Sequence, residues 1–204
     1  MTDKYFYSKG TRIANIAAFV YALVVDEKIV ANTLASKGFE ITSTGSSESD
    51  LQTNIINHID IISNKGSERY AIDVKTPTER YIDIAKHCLQ SETNKSTHIA
   101  IIYNEKVFIT KTSIVKALAK PSLYNKNMYY IRISDFIANQ TLAISLSDED
   151  IAYRTAQYAN YMQLKKDIDV ENIYNMQTCI NAFLPEYKNR FNADLEFIPL
   201  QGIY

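Results

Sequence analysis

Residues 57–76, NHIDIISNKGSERYAIDVKT, hold two runs with strand-like alternation, NHIDIIS and RYAIDVKT, on either side of NKGSE. Asn, Lys and Gly suit the turn of a hairpin, so the two runs are expected to pair. Side chains alternate across a strand, which sends Ile72 and Val74 toward the core and leaves Asp73 and Lys75 together on the other face. In the first run Ile59 and Ile61 supply the buried side and Asp60 projects opposite. A hairpin then brings Asp60 beside Asp73. Two converging carboxylates repel unless a hard divalent cation such as Mg²⁺ binds between them. An ammonium two residues beyond Asp73 can orient a water and stabilise negative charge on a phosphorane, which together describe metal-assisted phosphodiester hydrolysis.

Working outward, Thr76, Pro77 and Glu79 read as N-cap, first turn and capping-box positions of a helix whose apolar face is Ile82, Ala85 and Leu89. HIAIIYN and KVFITKT read as two more strands, followed by a helix over 113–120 stopped by Pro121. MYYIRIS is expected to close the mixed core. Ser147 and Asp150 form a second capping box, opening helices near 148–166 and 170–184, the latter ended by Pro185. Upstream, Ile13, Ile16, Ala17, Val20, Leu23, Val24, Val30 and Leu34 mark one long helix, or two in near-continuation, over 11–37. Gly38 is the expected terminator, FEIT a short strand, and 43–52 a polar surface loop. The order predicts one α+β domain over 1–204, with a central mixed sheet flanked by helices and a helical C-terminal part.

Composition fits a globular chain: 204 residues, 46% hydrophobic and 22% charged. The apolar run 13–25 is interrupted by Asn15 and too short for a bilayer. Lys9 and Arg12 precede it, but Asp26 and Glu27 follow where a secretory cleavage site would need small residues, so no membrane partner and a cytoplasmic location are expected. Cys88 and Cys179 have neither disulfide-framework nor zinc-site spacing. A net charge of −1 gives no whole-chain electrostatic case for a nucleic-acid partner, although an acidic active site can mask local basic surface. His58, His87 and His98 lack ligand spacing, and Tyr153, Tyr158, Tyr161 and Tyr174 read as packing residues or a dimer face.

Asp60, Asp73 and Lys75 on successive strands resemble the signature of the PD-(D/E)xK nucleases, and the string AIDVKT is most similar to type II restriction endonucleases of the EcoRV and HincII kind. The resemblance covers roughly residues 11–110, the expected catalytic core, and leaves 121–204 for recognition and dimerisation. Ile59 stands where the signature has proline. The resemblance implies a restriction-endonuclease-like core, Mg²⁺ held by Asp60, Asp73 and the main-chain carbonyl of Val74, and help from a glutamate on the N-terminal helix. Glu27 continues the buried stripe and is the best candidate, with Glu40 and Glu48 weaker; a helix break at Asp26 would instead make Glu27 a first-turn charge.

In the similar enzymes the loop before the first catalytic strand approaches the minor groove, pointing to Gln52, Asn54 and Asn57 as DNA-binding residues. Asn125, Lys126 and Asn127 in YNKN form a second candidate. Cutting both strands of a palindrome in double-stranded DNA implies a homodimer. The alternatives are a junction resolvase or phage or repair nuclease of the same fold, and a non-enzymatic α+β interaction domain.

Overall fold

The computed structural model describes residues 25–44, 57–90, 92, 94–123 and 125–167. The expected N-terminal helix is described from Val25, where a wide helical turn at Val25–Asp26 runs into α1 (Glu27–Ser36). There is no break at Asp26, whose backbone is right-handed helical (φ −65°, ψ −43°). Gly38 and Phe39 donate their N–H groups to Ala35 O (3.0 Å) and Leu34 O (3.2 Å), the paired closure of a Schellman motif. The φ of +79° at Gly38 is why a glycine ends this helix.

The expected hairpin forms. After β1 (Glu40–Thr44), β2 (Ile61–Lys65) pairs antiparallel with β3 (Glu68–Lys75), placing Ile61 opposite Ile72 and Lys65 opposite Glu68. The two-residue turn has φ +61° at Gly66 and no positive φ at Ser67, the type II′ pattern that matches strand twist. The first run is shorter than its alternation suggests, because Asn57 is helical and His58 has φ +53°. β5 (His98–Tyr103) and β6 (Lys106–Lys111) form a second hairpin around Asn104 and Glu105, both at positive φ as a type I′ turn requires. With β9 (Leu142–Ser145) these make a six-stranded sheet ordered β1-β2-β3-β5-β6-β9, mixed because β3 and β5 run parallel. The α+β class and the central mixed sheet therefore hold.

The segment after Lys75 departs from expectation. Residues 81–85 form a strand, β4 (Tyr81–Ala85), and only Lys86–Gln90 are helical, as α2. Tyr81, Ile82, Asp83 and Ile84 alternate between exposed and buried, and β8 (Met128–Arg132) pairs with them in continuous register. A long-range partner for two β-branched residues outweighs the local capping pattern. The same pairing removes MYYIRIS from the main sheet: β8 lies between β4 and β7 (Lys120–Pro121) in a separate three-stranded sheet. Pro121 does follow a helix, α3 (Thr112–Leu118). Neither α4 (Ile133–Ala138) nor β9 is expected from the sequence. α5 (Asp148–Asp167) begins as expected: the Asp150 N–H donates to Ser147 Oγ at 3.1 Å, and that hydroxyl donates to Asp150 Oδ2 at 2.7 Å. The helix expected over 170–184 lies outside the described residues.

The small sheet packs on the main one. Register aligns Asp73 with Ile99 and Thr110, and Lys75 with Ile101 and Phe108, on one face. On that face Ile82, Ile84 and Ile131 join Leu89, Val115, Ile133 and Phe136 around Ile99 and Ile101. Burying each such side chain stabilises the fold by roughly 1.5–3 kcal/mol. Ala71 through Val74 are all buried, so β3 is covered on both faces, not open on the Asp73 side. Among the described residues no helix is long and apolar enough to cross a membrane.

Candidate active site

Asp60 immediately precedes β2 and is held to β3 by two bonds. Its N–H donates to Ile72 O at 2.8 Å, and Oδ2 accepts the Val74 N–H at 2.6 Å. These bonds carry the ladder one residue past Ile61 and set the Asp60 side chain beside Asp73. Both carboxylates are buried, Asp60 at 6% exposure and Asp73 at 2%. Lys75 Nζ lies 2.5 Å from Asp73 Oδ1, while Asp73 Oδ2 is buried with no hydrogen-bond donor among the described residues other than the neighbouring Asp60 carboxyl when that is protonated. A strand residue directs its own N–H and C=O to the same side, so the Val74 carbonyl also faces the Asp60 side.

Glu27 joins this group from α1. It is 4% exposed, and the charges that act on it are those of Asp60, Lys75 and Asp73 together with Lys28. Its placement follows from Asp26, which accepts the Thr76 hydroxyl at 2.9 Å and the Arg154 Nε–H at 2.9 Å. Those bonds fasten the start of α1 to the residue after Lys75 and to α5. Glu27 is therefore not a solvated first-turn charge. Glu40 is exposed opposite Asn64 at the turn end of the hairpin, away from the site, and Glu48 lies outside the described residues.

The electrostatics are those of crowded acids in a dry setting. Burial, reinforced by Asp73, pushes the Asp60 carboxyl up to about 8, against the Lys75 charge and the Val74 N–H. Glu27 is raised well above the usual carboxylate range by burial and then by Asp60. Burial alone would lower Lys75, but the Asp73 carboxylate outweighs it and holds the ammonium firmly protonated. An added cation would relieve the repulsion and engage Asp73 Oδ2, and an all-oxygen donor set of Glu27, Asp60, Asp73 and the Val74 carbonyl suits hard Mg²⁺. As they stand, no three metal-ligating side chains among the described residues form a ready-made cage.

Three participants escaped the sequence reading. Asp26 and Arg154 are 128 positions apart and carry no local signal of pairing. Cys88, on α2, comes close to Lys75, Asp73 and Asp60, and burial pushes its thiol up, leaving it neutral. Of the expected DNA-contacting residues, Gln52 and Asn54 lie outside the described residues. Asn57 is half-buried and its carbonyl accepts the Lys95 N–H at 2.9 Å. Asn125, Lys126 and Asn127 connect β7 to β8 on the small sheet, where the Asn125 side chain accepts the Asn127 N–H at 3.0 Å and Lys126 is exposed. No family model matches the chain, and no curated protein is similar to it.

Proposed function

We propose that this chain is a Mg²⁺-dependent endonuclease that hydrolyses DNA phosphodiester bonds, with a restriction-endonuclease-like core and the site specificity of a type II restriction enzyme. The observation that carries the reading is the burial of Asp60, Asp73 and Glu27 close enough to act on one another and on a protonated Lys75. Asp60, Asp73 and the Val74 carbonyl would hold the cation, with Glu27 assisting. When bound, Mg²⁺ supplies Lewis-acid stabilisation of phosphate charge and a water of lowered pKa. Lys75 orients the attacking water and stabilises the negative charge that develops on the phosphorane. Asp60 and Asp73 are buried, and the low local dielectric around them strengthens each of these interactions.

Recognition is assigned to Gln52 and Asn54 ahead of β2, with Asn57 and the Asn125–Asn127 segment as further contacts, because paired amide hydrogen bonds read adenine edges. The test is a digest of mixed-sequence plasmid with Mg²⁺. Discrete fragments are expected; a smear would indicate a nonspecific or structure-selective nuclease of the same fold, and no cutting with any divalent metal an interaction domain.

A further inference from the structure

β5 continues beyond Ile101, the register partner of Lys75, to Tyr103. Tyr103 is two residues further and so on the face of Lys75, about 7 Å along the strand. There it lines an open cavity of about 600 Å³ with Glu79, Arg80, Tyr81, Arg132 and Ser134. Strand pairing builds this cavity. Tyr81 stands opposite Arg132, the Ile133 N–H donates to Arg80 O at 3.1 Å, and the Tyr81 ring is braced edge-on by Tyr130 at 5.4 Å. Both arginines are exposed, and among the described residues neither forms an ion pair. Arg80 and Arg132 against Glu79 leave the lining with one net positive charge, which suits an anion with several acceptor oxygens, such as a phosphate.

We propose that Arg80 and Arg132 grip a backbone phosphate of the same DNA strand that is cut at Asp73 and Lys75, an assignment that rests on the nuclease reading. DNA carries one charge per about 3.4 Å of axis on each strand, so the offset along β5 corresponds to a phosphate about one to three nucleotides from the scissile one. A phosphate grip sets register and orientation without reading a base, so its contribution is independent of sequence.

The experiment titrates labelled duplexes of two unrelated sequences against the full chain in Ca²⁺ over a salt series, followed by Mg²⁺ or Mn²⁺ to score cutting. For the Arg80→Ala/Arg132→Ala protein the expected result is binding about ten-fold weaker or worse on both sequences. Its slope of log K against log salt should be flatter by about 1 to 2. Arg80→Lys/Arg132→Lys should be intermediate, because a point charge replaces the fork. Lys37→Ala/Lys111→Ala, two exposed cations at the other end of the sheet, should bind like the wild type. Arg132→Ala alone gives a smaller loss in the same direction and decides the matter if the double variant does not fold. Equal affinity and slope for the wild type and the arginine variants would overturn the grip and leave the nuclease reading standing. A complex that needs the arginines but is never cut supports the grip and removes the nuclease reading. No DNA binding by the wild type removes both.

Discussion

Asp73 commits Oδ1 to Lys75, and its buried Oδ2 has no donor among the described residues other than the Asp60 carboxyl when protonated, a pairing that a bound cation would replace. The two residues should therefore fail differently when replaced. Asp73→Asn removes the charge a cation needs, so both the Mg²⁺-induced rise in melting temperature and DNA cleavage should disappear. Lys75→Ala leaves the carboxylates in place; Ca²⁺-supported DNA binding should persist while single-turnover cleavage falls by about 10²–10³ or more. A folded Lys75→Ala protein cutting at the wild-type rate would remove Lys75 from the mechanism. His98 supplies an independent pH-dependent contribution. Its ring lies 4.7 Å from Tyr70, and burial together with Lys111 lowers its pKa below the ordinary 6.5. The fold favours the neutral ring, so this contribution is complete above the unfolded pKa and is lost as pH falls through the lower folded value. Urea midpoints at about pH 7.5 and 5 should differ less for His98→Phe than for the wild type, since phenylalanine keeps the ring contact and cannot be protonated.

At the scale of elements, the site depends on how α1, β3 and α5 are joined. Asp26 is fully buried and its partners come from all the way across the chain: Thr76 at the end of β3 and Arg154 on α5. Arg154→Ala would leave a buried carboxylate with only a hydroxyl donor. It is expected to destabilise the protein by about 2–4 kcal/mol, below the fully buried limit because the Arg154 side chain is 25% exposed. Adding Asp26→Asn should recover a large part of that loss, and urea denaturation of the two single variants and the double variant measures the coupling. Purely additive losses would mean that the pair does not hold α5 against α1. If it does hold, Arg154→Ala should also slow cleavage, by shifting Glu27 relative to Asp60.

For the whole molecule, one chain presents one set of Asp60, Asp73 and Lys75, whereas double-strand cleavage at a symmetric sequence needs two. The protein is expected to be a homodimer in solution, with dimerisation assigned to the region 121–204. Sedimentation showing a monomer that nonetheless cuts both strands in a single binding event would exclude this assembly. The chain's net charge of −1 also requires DNA binding to depend on local cationic surface, so affinity should fall steeply as salt rises.

Local chemistry was enough to determine the hairpin, its turn, the glycine that ends α1, the capping box of α5 and the pairing of Asp60 with Asp73. Each of these depends on residues close in sequence or on the strict alternation of a strand, and the neighbours act the same way in any context. The local signals misread 76–85, where a capping pattern and an apolar spacing compatible with a helix compete with alternation. Only the presence of β8, more than forty residues downstream, resolves that competition in favour of a strand. Sequence alternation assigned Asp73 and Lys75 to one face, but tertiary structure packed Ile82, Ile84 and Ile131 on that face and left Asp73 buried and Lys75 partly exposed. Burial is a property of what packs from elsewhere, and it is burial that raises Glu27, Asp60 and the Cys88 thiol. The types of residue were therefore legible from local spacing, whereas the charge state they adopt depends on distant elements that exclude water from around them.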